Sequence, residues 1–458
     1  MKENNLTIQF ASGARSVTGS NFLVSLGSRR FLIDCGLVQG HHVGAEENAE
    51  PFPYDVSGVD ALFVTHGHLD HVGRIPKIVK DGFKSRIIST PPTKEIGAAI
   101  LEDALNILRH EAQQDGREPL YAEEDTRRSF SLWETVLYDK PVIFTDPEGD
   151  ISVTLRDTGH ILGSAMIDIS RGGKHFVFTG DLGNTPSPLL RDTEEVPRAD
   201  YLCVESVYGD RNHDPKEYRK KKLKTLIEEG IKRGGTVVIP AFSTERTQEL
   251  LFELNEMVEH KEFPKIPIYL DSPLSIKITA IYQKYKSYFN PDTLSLIKKG
   301  DDIFNFPGLI VTGTSDESRA INFDHRPKVV IASSGMLNGG RVIHHAKHYL
   351  PDPKSTFIIV GYQAAGTPGR LLEDGIREVK ITGEMVKVRA NIVSLNGYSA
   401  HKDSDHLLEF VEGMNGLRKV FVVLGEPKAS MFLAQRIRDN IGVETLVPEK
   451  GEIINVPF

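Results

Sequence analysis

The stretch Thr65-His66-Gly67-His68-Leu69-Asp70-His71 places three histidines and one aspartate within six positions. It follows the apolar run 61–64, so the cluster begins where a buried strand is predicted to end. Loops mounted on rigid strands commonly carry binding residues, and imidazole and carboxylate groups are ligands of catalytic zinc. The first two histidines and the Asp-His pair lie on different backbone paths, which favours two adjacent metal ions over one. The alternative is a polar loop whose histidines only form hydrogen bonds.

The composition excludes several classes of protein. Of 458 residues, 39% are hydrophobic and 26% charged, and no apolar run approaches the ~20 residues of a membrane helix. The net charge of −8 means that nucleic acid would require a local positive groove. Cys35 and Cys203 form no C-x-x-C pair, which argues against disulfides and thiolate zinc and favours a reducing cytoplasm. The start of the chain lacks a signal-peptide pattern, so we expect a cytoplasmic protein of two to four domains without a membrane association.

On both sides of the histidine cluster, short apolar runs predict strands and longer Glu/Leu/Ala-rich runs predict helices. The predicted strands are Leu6–Phe10, Phe22–Leu26, Arg30–Asp34, Pro141–Phe144, Ile151–Leu155, Ala165–Ile169 and His175–Thr179. The predicted helices are Pro92–Gln114 and Glu123–Leu137.

Three further candidate ligands stand at the ends of these strands. Asp34 follows the third strand, and its alternative role is that of a turn aspartate. His160 and Asp181 each have a neighbouring glycine, which allows the backbone to turn tightly around a ligand. Taken alone, each residue fits a structural role. Beside the cluster, they match the need of a two-metal site for a bridging carboxylate and another histidine.

From about residue 207 to 390, helices and strands alternate, which predicts a parallel sheet with ligand loops at the carboxyl ends of its strands. The predicted buried strands are Thr236–Pro240, Pro267–Leu270, Leu309–Val311, Lys328–Ala332 and Ser355–Val360. The predicted helices are Lys216–Arg233, Thr244–His260, Leu274–Tyr285 and Gly339–Leu350.

The turn at Ser333-Ser334-Gly335 precedes the last of these helices, and amides at a helix start attract phosphate. An ordinary helix cap is the alternative. From about 391 the pattern returns to short strands and helices, with a helix at Asp403–Met414, a strand at Lys419–Leu424 and a helix at Pro427–Ile441. His401 closes Tyr398-Ser399-Ala400-His401, and on its own it reads equally as a ligand or a loop histidine.

In their order along the chain, Asp34, the cluster at 66–71, His160 and Asp181 resemble the metallo-β-lactamase superfamily. The 207–390 segment resembles the β-CASP insertion of RNA-processing nucleases. The motifs that carry this second resemblance are Glu205-Ser206, the run 240–249, Leu270-Asp271-Ser272-Pro273, Ser334-Gly335-Met336-Leu337 and Val360-Gly361-Tyr362-Gln363. The resemblance covers nearly the whole chain and includes bacterial metal-dependent RNases and the nuclease subunit of the eukaryotic cleavage and polyadenylation machinery.

The resemblance implies an α/β fold, namely an αββα metallo-β-lactamase sandwich with an inserted β-CASP α/β domain. The core would comprise 1–206 and 391–458, and the insertion 207–390. By motif, His66, His68 and His160 would hold one zinc, and Asp70, His71 and His401 the second, with Asp181 bridging. Asp34 would orient a ligand histidine, and Glu205 matches the first acidic motif of the insertion.

The chain departs from the family pattern twice. The histidine that eukaryotic relatives carry after a Gly-Thr element, and that is thought to act as general acid, is absent from Gly366-Thr367-Pro368-Gly369-Arg370. The general acid is therefore unassigned, with His344 or His345 as the substitute. The late His-Gly-Glu of the family is Leu424-Gly425-Glu426.

The predicted function is that of a zinc ribonuclease, with two zinc ions activating a hydroxide and RNA lying between core and insertion. Phosphates would contact Arg246, Ser333, Ser334, Gly335 and Arg370. Arg246 has an alternative role, pairing with Glu245 or Glu249. Two competing functions are a hydrolase of small esters or thioesters and a non-catalytic RNA-binding subunit. Exonuclease or endonuclease action, the RNA target and a homodimer are left open.

Overall fold

The computed structural model describes residues 5–39, 43–114, 116–361, 363–364, 366–395 and 397–458, so Tyr362 of the predicted Gly-Tyr motif lies outside it. The chain forms two compact units, Met1–Asn212 with His401–Phe458 and His213–Ala400. The boundaries proposed from the sequence, 206 and 390, lie six and ten residues before the boundaries at 212 and 400. At the second boundary the difference has a local cause, because Asn391–Leu395 pairs with Thr356–Val360 as a strand of the second unit.

The N-terminal part of the first unit contains eleven strands and five α-helices within the described ranges. The strands are β1 Asn5–Ser12, β2 Asn21–Leu26, β3 Arg29–Ile33, β4 Ala61–Phe63, β5 Arg86–Ser89, β6 Trp133–Thr135, β7 Val142–Phe144, β8 Ile151–Asp157, β9 Ala165–Arg171, β10 Lys174–Phe178 and β11 Tyr201–Glu205. The helices are α1 Val43–Ala49, α2 Leu69–Val72, α3 Ile75–Lys80, α4 Pro91–Gln114 and α5 Glu123–Leu132.

The second unit alternates helices with strands. The helices are α6 Lys216–Lys232, α7 Arg246–Glu259, α8 Pro273–Lys284, α9 Pro291–Lys298, α10 Ser315–Ile321, α11 Val342–Tyr349 and α12 Pro368–Glu373. The strands are β12 Thr236–Pro240, β13 Ile268–Leu270, β14 Leu309–Val311, β15 Lys328–Ala332, β16 Thr356–Val360, β17 Glu378–Ile381, β18 Glu384–Lys387 and β19 Asn391–Leu395. The chain then returns to the first unit with α13 Ser404–Glu412, β20 Lys419–Val423, α14 Pro427–Ile441, β21 Glu444–Leu446 and β22 Ile453–Pro457.

Two sheets form the centre of the first unit, in the orders β22-β1-β2-β3-β4-β5-β6 and β21-β20-β11-β10-β9-β8-β7. Alternation along β8 buries Ile151, Val153 and Leu155, as expected for a strand with one face toward a core. Aromatic side chains of both sheets, among them Phe31 and Phe176, share one buried cluster between them. Because both sheets supply this cluster, it holds them face to face.

Helices cover the outer faces of both sheets. One buried cluster joins the first sheet to α3 and α4 through side chains such as Leu62 and Ile78. Another joins the second sheet to α13 and α14 through side chains such as Val204 and Leu433. The layers therefore run helix, sheet, sheet, helix, which confirms the predicted αββα sandwich.

The second unit is built on a sheet in the order β14-β13-β15-β12-β16-β19, in which every pairing is parallel. Its central strands β12, β15 and β16 are buried along their whole length, as parallel strands covered on both faces usually are. The predicted parallel sheet with flanking helices is confirmed. Among the described helices, none combines the length and apolar character that crossing a bilayer requires.

Three details differ from the sequence prediction. The predicted helix Glu123–Leu137 ends at Leu132, because Trp133–Thr135 pairs with β5 as a strand instead. Leu309–Val311 is a strand but not a buried one, since it is the edge of its sheet and Ile310 and Val311 are 39% and 48% exposed. The predicted helix Gly339–Leu350 begins only at Val342. Sheet pairing and edge position decided the first two, and neither is visible in local periodicity.

Candidate metal centre

The histidine cluster lies on the loop that leaves β4 and enters α2. His68 occupies the N-cap position of α2, and Asp70 and His71 lie within that helix. Backbone hydrogen bonds fasten the loop, because Ser20 donates to the carbonyl of Asp70 and Cys35 to that of His71. A Cβ added at Gly36 would stand 1.5 Å from the Asp70 carbonyl oxygen. Only glycine therefore allows the two segments to approach so closely.

Two more loops of the same unit bring His160 and Asp181 to the cluster. Gly159 precedes His160 with φ of +66°, and Gly180 precedes Asp181 with φ of +54°. A Cβ at Gly159 would stand 2.5 Å from the carbonyl oxygen of Arg191, and one at Gly180 would stand 2.7 Å from the Cβ of Thr65. The glycines beside these two candidate ligands are thus needed for both backbone conformation and space.

Four ligand atoms converge at one point of this site. His66 Nε2 lies 3.1 Å from His68 Nδ1 and 3.4 Å from Asp181 Oδ2. His160 Nε2 lies 3.4 Å from the same His68 nitrogen and 3.5 Å from the same Asp181 oxygen. Ligand atoms about 2.0–2.1 Å from a tetrahedral zinc ion stand about 3.3–3.4 Å from one another. These four separations therefore have the spacing of a tetrahedral ligand set.

A second group of donors adjoins the first through Asp181. Its Oδ1 lies 3.5 Å from His71 Nε2, which is 3.9 Å from Asp70 Oδ2. His401 Nδ1 lies 3.9 Å from Asp181 Oδ2 and 3.2 Å from Glu205 Oε1. Asp181, Glu205 and His401 offer ligand atoms within 4.8 Å of one another. The structure thus brings together all seven residues proposed as ligands, with Glu205 as a further carboxylate beside His401.

Asp34 is completely buried behind the histidines and is surrounded by donors. His71 Nδ1 lies 2.7 Å from its Oδ2, and the Thr65 amide donates to its Oδ1 at 2.8 Å. The hydroxyls of Ser20 and Thr65 also donate to this carboxylate. Ser20 and Thr65 were not among the predicted site residues, although Thr65 directly precedes the cluster. Because Asp34 holds Nδ1, the Nε2 atom of His71 faces the candidate metal ligands Asp70 and Asp181.

Burial and neighbouring charges shift the pKa of several groups in this cluster. Burial, reinforced by the neighbouring imidazoles, holds the pKa of His66 well below its usual value. Burial raises the pKa of the Asp181 carboxyl to about 7, and it also raises that of Asp70. For His71, burial acts downward, but the Asp181 and Asp34 carboxylates outweigh it and raise the pKa to about 10. Burial therefore opposes ionised carboxylates in this cluster, and a divalent cation bound among these groups would stabilise them.

An unsatisfied atom supports the same conclusion. His71 Nε2 is buried and has no hydrogen-bond partner within the described part of the chain. A buried polar atom without a partner is costly, and here it faces two carboxylates at a separation too long for a hydrogen bond. A metal ion bound by these groups would satisfy all of them. The donor set of imidazole and carboxylate therefore fits zinc or a similar ion.

The residues predicted to contact phosphate lie in the second unit and have protein partners there. Arg246 is 5% exposed and donates to Glu249 at 2.7 Å, the pairing that the sequence left open as its alternative. Arg370 is exposed on α12 and bonds to Asp374. Gly335 packs closely against the ring of Phe242, and its carbonyl accepts from the side-chain amide of Gln363.

The two serines do not stand at a helix start, because α11 begins eight residues after Ser334. Ser333 instead belongs to a cluster of hydroxyl groups at the carboxyl ends of parallel strands. Its Oγ lies 2.8–3.0 Å from those of Ser243, Ser272 and Ser275. Ser334 donates to the side-chain oxygen of Asn338. Amides at a helix start therefore do not support phosphate binding by these serines. The hydroxyl cluster is the feature that still supports it.

His345, the substitute general acid, is also in the second unit. It is 1% exposed, and its Nε2 lies 2.6 Å from Asp271 Oδ2. Asp271 is held as well by Arg341 and Ser318, and these hydrogen bonds, against the opposing effect of burial, keep its pKa far below the usual value. A proton donor must reach the leaving group, so the geometry favours a structural contact for His345.

Three family profiles match the chain in succession. The first is the metallo-beta-lactamase superfamily domain over residues 23–194. The second is the Beta-Casp domain over 247–372, and the third is the Zn-dependent metallo-hydrolase RNA specificity domain over 385–448. Together they span most of the sequence in the order that the resemblance predicted.

Similar proteins cover the chain almost from end to end. Ribonuclease TTHA0252 of Thermus thermophilus is 35% identical, over 92% of this chain and 94% of its own length. The RNase J-like protein of Methanocaldococcus jannaschii is 32% identical, over 98% and 99%. The transcription termination factor FttA of Methanosarcina mazei is 32% identical, over 97% of this chain and 70% of its own length.

A solved structure from Enterococcus faecalis, of a protein of unknown function, shares the fold. Its TM-score is 0.55 at 15% identity, over 99% of this chain and all of that one. The identities to the curated relatives, the three matching domains and the layered fold agree with one another. The chain therefore belongs to the metallo-β-lactamase superfamily of metal-dependent hydrolases, in its branch of β-CASP ribonucleases.

Proposed function

We propose that this chain is a zinc ribonuclease that cleaves RNA phosphodiester bonds with two metal ions held in the first unit. The observation that carries the proposal is the set of four donors from His66, His68, His160 and Asp181 at tetrahedral spacing, with a second donor group sharing Asp181. RNA as the substrate is supported by the ribonuclease TTHA0252 relative and by the matching RNA specificity domain.

The residues divide into two ligand groups around a shared carboxylate. His66, His68 and His160 would hold one ion, Asp70 and His71 would hold the other, and Asp181 would bridge them. When bound, the ions lower the pKa of water and stabilise the charge that develops on the phosphate. Burial keeps His66 in the neutral form that a ligand requires.

Asp34 and Glu205 orient two histidines of the site from behind. Asp34 accepts from His71 Nδ1, and this hydrogen bond fixes the tautomer whose Nε2 binds metal. Glu205 is completely buried, accepts the amide of Leu182 at 2.7 Å and lies 3.2 Å from His401 Nδ1. It therefore contacts the ring of His401 through Nδ1.

His401 has two roles that this geometry supports. As a ligand it would complete the second donor group, since its Nδ1 lies 3.9 Å from Asp181 Oδ2. As a proton donor it would supply the general acid that the Gly366-Thr367 segment lacks, since a histidine oriented by a buried carboxylate is a common acid–base pair.

A His401→Ala variant separates these roles. A ligand role predicts loss of one metal equivalent. A proton-donor role predicts retention of both metals, slow RNA cleavage and preserved hydrolysis of bis-p-nitrophenyl phosphate, whose leaving group needs no proton. Full RNA cleavage with both metals bound would exclude both roles.

The proposed function is tested by elemental analysis together with cleavage of a labelled single-stranded RNA. We expect close to two zinc equivalents per chain and cleavage that a chelator abolishes and zinc restores. Asp181→Ala should lose at least one metal and all measurable cleavage while remaining folded. Both metals and near-normal turnover in this variant would disprove the bridging role.

The same assay separates the competing functions. Metal-dependent turnover of small esters without RNA cleavage would favour a small-molecule hydrolase. RNA binding without metal or cleavage would favour a binding subunit. A cytoplasmic location and a homodimer stay predictions, and sedimentation of the purified protein tests the second of them.

A further inference from the structure

The second unit contains a buried charge network that the proposed reaction does not use. Glu249 and Glu253 lie one turn apart on α7, and both are buried. Arg219 of α6 is buried beside them, with its guanidinium nitrogens 2.9–3.0 Å from Glu253 Oε1 and 3.6 Å from Glu249 Oε1. Such buried charges are costly to desolvate, so the network must be well satisfied to persist.

The network also holds the backbone at residues 397 and 398. Arg219 Nη1 donates to the carbonyl of Gly397 at 2.7 Å, and the guanidinium lies 4.5 Å from the ring centroid of Tyr398. The Tyr398 hydroxyl donates to Glu253 Oε2 in a short hydrogen bond. Gly397 has φ of +96°, a conformation that glycine adopts without strain. Three contacts therefore fix two consecutive residues.

His401 follows Tyr398 by three residues. We infer that Tyr398 is a positioning residue for His401, acting through the short Ser399–Ala400 link, with Arg219 and Glu253 as its anchor. This inference rests on the proposed function, in which His401 serves the metal centre as ligand or proton donor. Only Ser399 and Ala400 separate the two residues, so few backbone dihedrals lie between them.

The character of the anchor supports this role. Tyr398 is completely buried, and an apolar side chain of similar size would fill the same volume without the cost of desolvating charges. A hydrogen bond to a carboxylate is directional, whereas apolar packing is not. A fully satisfied buried polar network rigidifies the segment that it holds. The network is thus suited to fix the position of a backbone segment.

The chain offers a matched control in the same unit. The Tyr282 hydroxyl donates to Glu245 Oε2 at 2.5 Å, and both residues are buried. Tyr282 lies within α8, far along the sequence from every candidate ligand. Tyr282→Phe and Tyr398→Phe each remove one buried tyrosine–glutamate hydrogen bond in the second unit. The two variants should cost similar stability but differ in their effect on the metal centre.

The experiment is a double-mutant cycle on the full-length zinc-loaded protein. Tyr398→Phe and Tyr282→Phe are made in the wild-type and His401→Ala backgrounds. Two quantities are measured, kcat on labelled RNA and the rate of metal loss to a chelator. If His401→Ala lowers kcat, we expect Tyr398→Phe to lower kcat by about tenfold. If His401→Ala speeds metal loss, we expect Tyr398→Phe to speed metal loss by about tenfold. In the His401→Ala background it should change that quantity by no more than about twofold, because its route of action has been removed.

Tyr282→Phe should leave both quantities unchanged in both backgrounds. Equal effects of the two tyrosine variants, no effect of Tyr398→Phe, or an effect that persists without His401 would each overturn the inference. If Tyr398→Phe does not fold, Glu253→Gln is measured in the same way, because it keeps an acceptor for Tyr398 and removes the charge that holds Arg219. Failure of the proposed function is distinct, since the wild-type protein would then lack metal or RNA cleavage.

Discussion

At the scale of single residues, Asp34 shows how much of the metal centre depends on a side chain that need not touch metal. Its backbone is in the left-handed region with φ of +58°, which aspartate and asparagine tolerate better than most residues. Its two oxygens accept from Thr65, Ser20 and His71. Both oxygens must therefore be acceptors.

Asp34→Asn is expected to lower metal affinity by about 10–100-fold with little change in backbone conformation. In asparagine an NH2 group replaces one carboxylate oxygen. This hydrogen-bond donor must then face either the Thr65 N–H or the His71 Nδ1. The second case would move the His71 proton to Nε2 and block its binding to metal. Competitive chelator titration measures the affinity.

Asp168→Asn is the matched control for this prediction. Asp168 is also buried and lies 3.0 Å from a histidine nitrogen, that of His175, but neither residue belongs to the metal centre. This variant should keep its metals. An Asp34→Asn protein with wild-type metal affinity would contradict the orienting role.

At the scale of elements, the loop from β4 to α2 depends on the segment that follows β3. Gly36 lies against the Asp70 carbonyl at a separation that leaves no room for a methyl group. The loop carries four of the proposed ligands, so its path and the occupancy of both metal positions are coupled.

Gly36→Ala is expected to reduce the free energy of unfolding by at least about 1–3 kcal/mol and to release metal. The added Cβ meets backbone atoms of Asp70, which cannot rotate away. Thermal unfolding and elemental analysis provide the two measurements.

Gly413→Ala is the control for Gly36→Ala, since Gly413 has φ of −66° and the nearest atoms to its added Cβ stand 3.6 Å away. It should change stability by no more than about 0.5 kcal/mol. Full metal content in Gly36→Ala would show that the loop can shift without disturbing its ligands.

The helix α7 supports a prediction about Arg246. Its pairing with Glu249 is buried. Glu253 lies on the same helix, and Glu245 is the residue that precedes the helix. Burial, aided by the Glu249 charge, raises the pKa of Glu245 to about 8. The segment is therefore already rich in negative charge.

Arg246→Ala should lower the free energy of unfolding by about 3 kcal/mol, because Glu249 loses its nearest cation inside the protein. Metal content should not change. Arg319→Ala is the control, since Arg319 forms the same i, i+3 pair with Asp316 at 70% exposure and should cost less than about 1 kcal/mol. A stable, fully folded Arg246→Ala protein with weakened RNA binding would support the phosphate role instead.

At the scale of the whole molecule, every proposed metal ligand belongs to the first unit, either its N-terminal part or the segment that begins at His401. The metal centre thus joins parts of the sequence that the second unit separates. Metal binding should stabilise the first unit directly, because a ligand that binds only the folded state adds to its stability.

Chelation is therefore expected to reduce hydrogen-exchange protection in β4, β10 and β11 of the first unit. At metal concentrations near 100 times Kd the lost stabilisation is about 2.7 kcal/mol. Protection in β12 and β15 of the second unit should change little. Mass spectrometry of exchanged peptides measures both, and Asp181→Ala protein should show a smaller response to the same chelator. Equal losses in both units would contradict a metal contribution confined to the first.

Several features of this protein could be predicted from sequence because they depend on short stretches of chain. The candidate ligands at 66–71 are adjacent in sequence, and their chemistry is a property of residue type. Strand alternation in β8 and the helix–strand repeat of the second unit are likewise local patterns. The parallel sheet was predicted correctly for this reason, whereas the αββα sandwich was predicted from the resemblance of the ligand motifs to the metallo-β-lactamase superfamily.

Tertiary structure decided what depends on distant partners. Trp133–Thr135 became a strand because β5 lies beside it, and Arg246 became an internal ion pair because its helix is buried. Asp271 contacts His345 and Glu205 contacts His401, although many residues of sequence separate the members of each pair. Burial and the identity of a hydrogen-bond partner are set by segments far apart in the chain. The sequence by itself therefore determined the ligand types and the fold class. Only the folded structure decided which charged groups face the metal centre and which are paired with one another in the protein interior.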